Sequence, residues 1–319
     1  MRVLSNSHFF NSMIPLVYHP IYSDLPLPKG HRYPINKYRL LHQQLVQRME
    51  QYDNWNTAFQ IFQPQPITIE EVNRVHSSEY VSQLANGSLP LAKIRRIGFP
   101  WSEQLVQRTL TSAGGTCLAV ELAVEYGIAI HLSGGYHHAH YDFGSGFCLF
   151  NDLVLAANHA LTHENIDKVL IIDSDVHQGD GTATLCDARD DIVTLSFHCE
   201  KNFPARKTHS DIDIALPKDI SDMEFLDSFN SVVEMSVNLH QPDLIIYDAG
   251  VDIHSDDELG YFNVSTQAIY QRDQFLLKLA KEKSVPIACV VGGGYRSNHA
   301  DLIPIHMKLI QAALDISEN

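Results

Sequence analysis

Short apolar segments that end in glycine or aspartate recur along this chain and constrain its fold more than any other feature. Each has the length of one buried strand, and segments with helical periodicity lie between most of them. Strands that alternate with helices predict a parallel sheet covered on both faces, because each crossover carries a helix over the sheet. The predicted strands lie within residues 14–19, 128–135, 168–175, 191–198, 242–250 and 285–294, and the predicted helices within 34–50, 69–86, 102–127, 222–240 and 265–283.

The sequence predicts one α/β domain over residues 1–319. It contains no internal repeat, low-complexity tract or long linker that would mark a domain boundary. The five cysteines are scattered and form no C-x-x-C pair, which favours a reducing compartment over a disulfide framework. No segment approaches the roughly 18 apolar residues of a membrane span. We therefore expect a cytoplasmic protein without a membrane partner, and the oligomeric state stays open.

Four polar clusters directly follow predicted strands. They read GGYHHAH, DSDVHQGDG, DAGVDIHSDD and GGGYRSN. In open parallel sheets, ligands bind beyond the carboxyl ends of the strands. We therefore expect these four loops to converge on one crevice.

Asp175 and His177 are alternate residues at the end of a strand, so their side chains point to the same side and can share a metal. Asp252 is the best third ligand. Two carboxylates and one imidazole leave a position open on zinc, and iron or manganese also accepts such ligands. A helix cap, a solvated turn or a calcium loop are the alternatives. An EF-hand loop counted from Asp173 would place histidine and glutamine at its fifth and sixth positions, where it needs Asp or Asn and then Gly.

The adjacent histidines His137 and His138 follow two glycines, which allow close approach of the backbone. Asp173 and Asp180 could each fix the tautomer of one imidazole and raise its basicity. One histidine would then take a proton from an attacking water while the other returns a proton to the leaving group. A lone histidine is more often a packed or surface residue than a catalytic one. An adjacent pair with carboxylates on a neighbouring strand end favours a catalytic role.

Two glycine-containing segments carry aromatic residues. Tyr295 ends VVGGGY, where a phenol could donate a hydrogen bond to a developing oxyanion or could be an ordinary aromatic after a turn. A phosphate-binding loop would need Gly-Lys-Ser/Thr, and the chain has Gly-Tyr-Arg there. GSGFC lacks the third glycine of a dinucleotide-binding fingerprint, so Gly146 and Phe147 are interpreted as a channel wall.

These segments resemble the zinc-dependent histone deacetylase superfamily, whose arginase-like α/β fold also serves acetylpolyamine amidohydrolases and acetoin-utilisation proteins. GGYHHA, GSGFCLFND, IDSDVHQGDGT, DAGVDIHSDDELG and GGGY occur in the family's order. The N-terminal HPIYSDLPLPKGHRYPINKY is similar to the opening of the compact class IV branch and its bacterial relatives. The resemblance spans most of the chain and implies a single-domain arginase/deacetylase-like fold.

The resemblance implies a zinc ion, with Fe²⁺ as an alternative, beside an acid and base pair and a tyrosine that binds the oxyanion. The implied catalytic residues are His137, His138, Tyr295, Asp173 and Asp180, and the implied metal ligands are Asp175, His177 and Asp252.

It also implies a narrow channel for the acyl-lysine side chain and a monovalent cation, K⁺, close to the zinc. The carbonyl of Gly146 would accept from the scissile amide nitrogen, and Leu259 would lie at the rim. The implied channel residues are Gly146, Phe147, Phe203 and Leu259, and the implied cation-binding residues are Asp173, Asp175, His177, Ser196 and Phe197.

The implied reaction is hydrolysis of an acyl amide on a primary amine. Acyl-lysine in proteins is the first expected substrate, and acetylpolyamine or another small amide is the alternative substrate. A remote alternative is that the protein is a non-catalytic binding module of the same fold. A two-manganese ureohydrolase would need further bridging carboxylates. Asp248 stands where many relatives carry an uncharged residue, and the sequence gives no account of it.

The formal net charge of −15 disfavours nucleic acid as a direct partner. It favours cationic small molecules or basic peptides. If part of this charge surrounds the channel mouth, it should speed the capture of cationic substrates.

Overall fold

The computed structural model describes residues 13–318 and joins their strands into one eight-stranded sheet. The predicted domain of residues 1–319 therefore includes residues 1–12 and Asn319, which lie outside the described range. The strands are β1 (Ile14–Val17), β2 (Phe59–Phe62), β3 (Ile128–His131), β4 (Val169–Asp173), β5 (Ile192–Cys199), β6 (Ile212–Leu216), β7 (Leu244–Asp248) and β8 (Ile287–Val290). Their order is β2-β1-β3-β8-β7-β4-β5-β6, and every neighbouring pair is parallel.

Helices cover this sheet on both faces, as the sequence predicts. Every residue of β3, β4, β7 and β8 is buried, which requires cover on both sides. Two short 3₁₀ helices span Pro20–Ser23 and His299–Leu302. The α-helices are α1 (Lys37–Gln51), α2 (Asp53–Ala58), α3 (Ile69–Val72), α4 (Ser78–Ala85), α5 (Leu91–Ile97), α6 (Glu103–Tyr126), α7 (Asp152–Ala160), α8 (Asp180–Cys186), α9 (Asp222–His240), α10 (Thr266–Lys283) and α11 (Ile303–Ser317). None of the helices in residues 13–318 combines the length and the apolar content needed to cross a membrane.

Serine caps define the starts of the three longest helices. The hydroxyls of Ser102, Ser221 and Ser265 each accept a hydrogen bond from a backbone N–H in the first turn of α6, α9 and α10. Such caps satisfy amides that have no partner within the helix. The predicted bounds of these helices are accordingly correct to within one residue.

All six predicted strands are confirmed, and two edge strands were missed. The missed strands β2 and β6 are only partly buried and lack a continuous apolar run. The single helix predicted over 69–86 is wrong, because residues 73–77 separate α3 from α4. At this break the buried His76 donates from Nδ1 to the carbonyl of His140 at 2.8 Å and accepts at Nε2 from the amide of Asn151 at 2.9 Å. These contacts hold the segment against the loop that follows β3.

The carboxyl ends of five adjacent strands lie in register. His131 of β3 is paired with Val290 of β8, and Val290 is paired with Asp248 of β7. Asp248 is paired with Asp173 of β4, which is paired with Ser196 of β5. The polar loops therefore leave the sheet along one edge, where a ligand site is expected.

Candidate active site

A cavity of about 870 Å³ opens at this edge of the sheet. Three of the four polar clusters line it through His138, His177 and Tyr295. The fourth, DAGVDIHSDD, brings Asp252 to Asp175 and His177, and Leu259 just after it lines the cavity. The predicted convergence is therefore confirmed. The predicted channel residues Gly146, Phe147, Phe203 and Leu259 all line the same cavity.

Asp175, His177 and Asp252 form a buried cluster at the floor of the cavity. Nδ1 of His177 lies 2.9 Å from Oδ1 of Asp175 and 3.1 Å from Oδ2 of Asp252. One ligand atom from each residue lies within 4.8 Å of the others. Burial, followed by the charge of Asp175, raises the pKa of Asp252 to about 8. Against the opposing effect of burial, hydrogen bonds to the two carboxylates raise the pKa of His177 to about 10. Two carboxylates converging on one imidazole suit a divalent cation.

The glycine loop after β8 closes this cluster from one side. A Cβ on Gly293 would collide with Oδ2 of Asp175 and with Oδ2 of Asp252. Only glycine lets the backbone approach both carboxylates this closely. The glycine at position 293 of the GGGY segment is thus a steric requirement of the candidate metal cluster.

His137 and His138 use separate carboxylates. Nδ1 of His137 donates to Oδ2 of Asp173 at 2.7 Å, and Nδ1 of His138 donates to Oδ1 of Asp180 at 2.6 Å. Both Nε2 atoms are thereby left facing one another, 3.1 Å apart. Burial acts to lower the pKa of His137, but Asp173 and Asp175 raise it well above its usual range. Burial, followed by the charge of His137, lowers the pKa of His138 to about 3.

Asp152 holds the loop that carries this pair. Its Oδ1 accepts from the amide of Tyr136 at 2.7 Å, and its Oδ2 accepts from the amide of Gly135 at 3.2 Å. Oδ2 also accepts from the hydroxyl of Thr116 at 2.6 Å, and Nδ1 of His131 lies 3.0 Å from that hydroxyl. The sequence analysis missed Asp152, although it begins α7 within the quoted segment GSGFCLFND.

Asp257 holds Tyr295 and the rim of the cavity together. Its Oδ2 accepts from the amide of Tyr295 at 2.6 Å. Its Oδ1 accepts from the amides of Leu259 and Gly260, each at 2.8 Å. Burial raises the pKa of Asp257 to about 6. This carboxylate was also missed, and its signal is its place within the DDELG segment.

Phe147 adopts a left-handed backbone conformation with φ of 66°. Such a conformation costs a non-glycine residue about 1–3 kcal/mol and persists where surrounding contacts enforce it. Its amide donates to the carbonyl of Ile97 at 2.8 Å, and its ring packs against Tyr33 and Phe99. Phe203, which is 41% exposed, packs edge to face against His138 with ring centroids 4.7 Å apart. Of the two predicted channel residues, Phe147 is therefore held in place by its neighbours, whereas Phe203 is partly exposed to solvent.

Asp248 is fully buried next to the histidine pair. Neither of its carboxylate oxygens has a hydrogen-bond partner within residues 13–318. It forms an acidic cluster with His137 and Asp173, distinct from the Asp175 cluster. Burial, followed by the charge of Asp173, raises its pKa well above the usual range. A Cβ on Gly292 would collide with Oδ1 of Asp248, so glycine at that position makes room for this carboxylate.

The residues of the predicted K⁺ site lie close together. Asp173 is opposite Ser196 in the sheet, and its Oδ1 accepts from the amide of Asp175 at 3.1 Å. The hydroxyl of Ser196 lies 3.0 Å from Nδ1 of His198, and the intervening residue Phe197 is buried and packs against Phe229. Cation binding at these residues stays a prediction.

A second, much smaller cavity of about 20 Å³ shares part of its lining with the main one. Gly146, Phe147 and Tyr295 line both cavities. Beyond them lies the buried Lys37, whose Nζ donates to the carbonyl of Gly292 at 2.7 Å. Burial lowers the pKa of Lys37 to about 8. Nothing in the spacing of the sequence motifs singled out this lysine.

Comparison with known proteins agrees with the fold. The model of the histone deacetylase domain matches residues 31–308. The chain therefore belongs to the histone deacetylase family, and the predicted arginase/deacetylase-like fold is confirmed.

Relatives from several organisms match most of the chain. An uncharacterized protein of Picosynechococcus is 41% identical over 95% of this chain and 99% of its own length. Histone deacetylase 2 of Arabidopsis thaliana is 30% identical over 95% of this chain and 80% of its own length. The acetoin utilization protein AcuC of Staphylococcus aureus is 29% identical over 82% of this chain and 72% of its own length. The resemblance inferred from the five motifs is confirmed by these matches.

Proposed function

We propose that this protein is a zinc-dependent amidohydrolase that removes an acetyl group from the side-chain amine of acyl-lysine in peptides or proteins. One observation carries the proposal. The cluster of Asp175, His177 and Asp252 lies beside His138 at the floor of a cavity whose wall includes Phe147. The candidate metal ligands and the candidate base His138 therefore lie together at a cavity that can hold an aliphatic side chain.

Asp175, His177 and Asp252 would hold the metal. Their convergent oxygens and Nδ1 fit Zn²⁺, and Fe²⁺ accepts the same ligands. When bound, zinc supplies Lewis acidity and lowers the pKa of a coordinated water. The packing of Gly293 against both carboxylates fixes their orientation.

The histidine pair would move the protons. His138 lines the cavity, so its Nε2 would take a proton from the attacking water. The charge of His137, supported by Asp173, would stabilise the negative charge that develops on the acyl carbon's oxygen. As the amide C–N bond breaks, the proton held on His138 would pass to the leaving amine. Asp180 keeps the Nε2 of His138 free for this exchange, because it binds Nδ1.

Tyr295 and Gly146 would position the amide. The phenol of Tyr295 would donate to the oxyanion, and the carbonyl of Gly146 would accept from the scissile N–H. Asp257 restrains the backbone of Tyr295, which fixes the base of this side chain.

The small cavity behind Tyr295 favours a short acyl group. A volume of about 20 Å³ accommodates a group the size of a water molecule, which needs about 10–15 Å³ by the same kind of measure. An acetyl methyl is of that size, and a long acyl chain would require Lys37 and its neighbours to move. The proposal is therefore deacetylation in preference to removal of long acyl chains.

A panel of substrates tests this function on the purified zinc-loaded protein. We expect kcat/KM to be highest for an acetyl-lysine peptide, lower for a long-chain acyl-lysine peptide and lower for an acetylpolyamine. His138→Ala should abolish hydrolysis while zinc content is retained. A zinc-loaded, folded protein that hydrolyses none of these amides would refute the proposal, and equal rates for acetyl and long acyl chains would refute the role of the small cavity.

A further inference from the structure

Arginines surround the mouth of the main cavity, although the chain carries a net charge of −15. Arg32 precedes α1, Arg96 lies near the end of α5, and Arg206 lies in the loop after β5. All three are exposed and line the cavity. Three separate segments thus bring positive charge to one opening. The same lining contains two carboxylates, Asp180 and Glu258, so the clustering of acidic residues around the mouth that the sequence analysis considered stays a prediction.

These arginines are available to a ligand. No carboxylate within residues 13–318 lies within 4.0 Å of any of their guanidinium nitrogens. Arg96 stacks over the ring of Phe143, with its Cζ 3.8 Å from the centroid. Stacking holds the guanidinium plane in place and leaves its edge N–H groups free to donate.

The carboxylates that line the cavity, by contrast, already have partners. Asp180 accepts from His138 and His140. Glu258 accepts at Oε1 from the amide of Ser297 at 2.6 Å and at Oε2 from its hydroxyl at 2.8 Å. The lining therefore carries three arginines without a carboxylate within 4.0 Å and two carboxylates: Asp180 bonds to two histidines, and Glu258 bonds to neutral groups and keeps its negative charge.

We propose that the mouth recognises carboxylates on the substrate, so that the preferred substrate is an acetyl-lysine with aspartate or glutamate at nearby positions of the same peptide. This inference rests on the proposed function. Guanidinium groups bind carboxylates with paired hydrogen bonds. Exposed aromatic surface at the mouth, from Phe203 and Tyr261, would pack against the peptide between its charges. Polyamines and lysine-rich peptides carry the same sign of charge as the mouth and are disfavoured.

The test compares three acetyl-lysine peptides of equal length, flanked by glutamate, glutamine or lysine. Initial rates give kcat/KM, and fluorescence anisotropy of labelled peptides gives binding independently of turnover. We expect the acidic peptide to exceed the basic one by about tenfold in kcat/KM at low salt, because exposed ion pairs are individually weak but three act together. The preference should lie mainly in KM and should shrink as salt is raised.

Variants identify the residues responsible. A triple variant with Arg32→Gln, Arg96→Gln and Arg206→Gln should bring the acidic-to-basic ratio of kcat/KM close to one, while its zinc content and melting temperature match those of the parent protein. Arg95→Gln is the matched control, because Arg95 is an exposed neighbour on α5 that does not line the cavity.

An unchanged ratio in the triple variant, or a preference for the basic peptide in the parent protein, would overturn the inference while leaving deacetylation intact. If no peptide is hydrolysed, the proposed function fails. Anisotropy then tests the inference separately. Loss of acidic-peptide binding in the triple variant would support it, and retained binding would overturn it.

Discussion

Nε2 of His137 lies 3.1 Å from Nε2 of His138, while each Nδ1 bonds to a different carboxylate. Two adjacent residues of the chain thus direct the ring nitrogens that carry no carboxylate partner toward each other. Because like charges at this distance repel, one ring carries the additional proton and the other stays neutral. The opposite directions of their pKa shifts agree with that division.

Tyr295→Phe tests the proposed oxyanion donor. The variant removes one hydroxyl and keeps the ring, the glycine loop and the metal ligands. We expect kcat to fall by roughly 100- to 1,000-fold with little change in KM, because the interaction strengthens as charge develops on the oxygen. Zinc content and melting temperature serve as controls and should not change. Full activity in the folded, zinc-loaded variant would refute this role, and an effect limited to KM would make Tyr295 a channel-wall residue.

Asp252→Asn tests the metal cluster. The variant replaces a charged ligand with a neutral amide, so zinc content measured by elemental analysis should fall from about one ion per chain toward zero. Activity should be lost with the metal. Asp248→Asn is the matched control, since this buried carboxylate lies outside the cluster and its variant should retain zinc. Two equivalent ions in the parent protein would contradict the proposed site.

Asp257→Asn tests a carboxylate that positions other groups. An amide can accept at only one atom, so either Tyr295 or the pair of Leu259 and Gly260 loses its hydrogen bond. A lost hydrogen bond to a charged group costs roughly 1.5–3 kcal/mol. We expect kcat to fall by about 10- to 100-fold because Tyr295 is displaced, while zinc content is unchanged.

The neighbouring Asp256→Asn is its control. Asp256 is exposed and its Oδ2 lies 3.4 Å from Arg296, a surface pair that contributes little. Equal effects of the two substitutions on kcat would show that Asp257 has no special positioning role.

The hydrogen bonds of the buried His76 require a neutral ring, so we expect the free energy of unfolding to fall in acid. Nδ1–H donates and Nε2 accepts, so the ring must be neutral in the fold, and burial lowers its pKa to about 4. The unfolded chain has the ordinary value near 6.5, so the contribution to stability is complete above that pH and is lost as pH falls toward 4. The expected slope is up to about 1.4 kcal/mol per pH unit.

Urea unfolding at pH 7.5, 6.0 and 5.0 measures this slope. His76→Gln keeps a donor and an acceptor but cannot take up a proton, so its free energy of unfolding should depend less on pH than that of the parent. The same pH dependence in both proteins would be inconsistent with a neutral His76.

The sequence predicts what depends on local pattern. Buried strands such as β4 and β7 are continuous apolar runs that end in aspartate, so both the sheet and its functional edge follow from the sequence alone. The edge strands β2 and β6 lack that run, because only one side of each pairs within the sheet. The break between α3 and α4 depends on contacts of His76 with residues more than 60 positions away, which periodicity cannot express.

The same division applies to the site. Asp175, His177 and His137 stand in recognisable spacing. Asp152 instead accepts from backbone amides of another loop, and Asp257 accepts from amides of its own loop and from the amide of Tyr295. Lys37 lies 255 positions before the carbonyl to which it donates. Net charge likewise averages over the chain, so it could not indicate that Arg32, Arg96 and Arg206 line one cavity in the folded protein.

The chain of contacts through Asp152 ties the loop that carries His137 and His138 to the buried core. The hydroxyl of Tyr22 lies 2.8 Å from Nε2 of His131, and His131 and Thr116 link β3 and α6 to the carboxylate that holds Gly135 and Tyr136. Regions that open easily exchange their amide hydrogens quickly, while core elements exchange only as the whole molecule unfolds. We therefore expect the amides of Gly135 and Tyr136 to exchange as slowly as core amides, because the loop before the histidine pair would have to break these contacts in order to open.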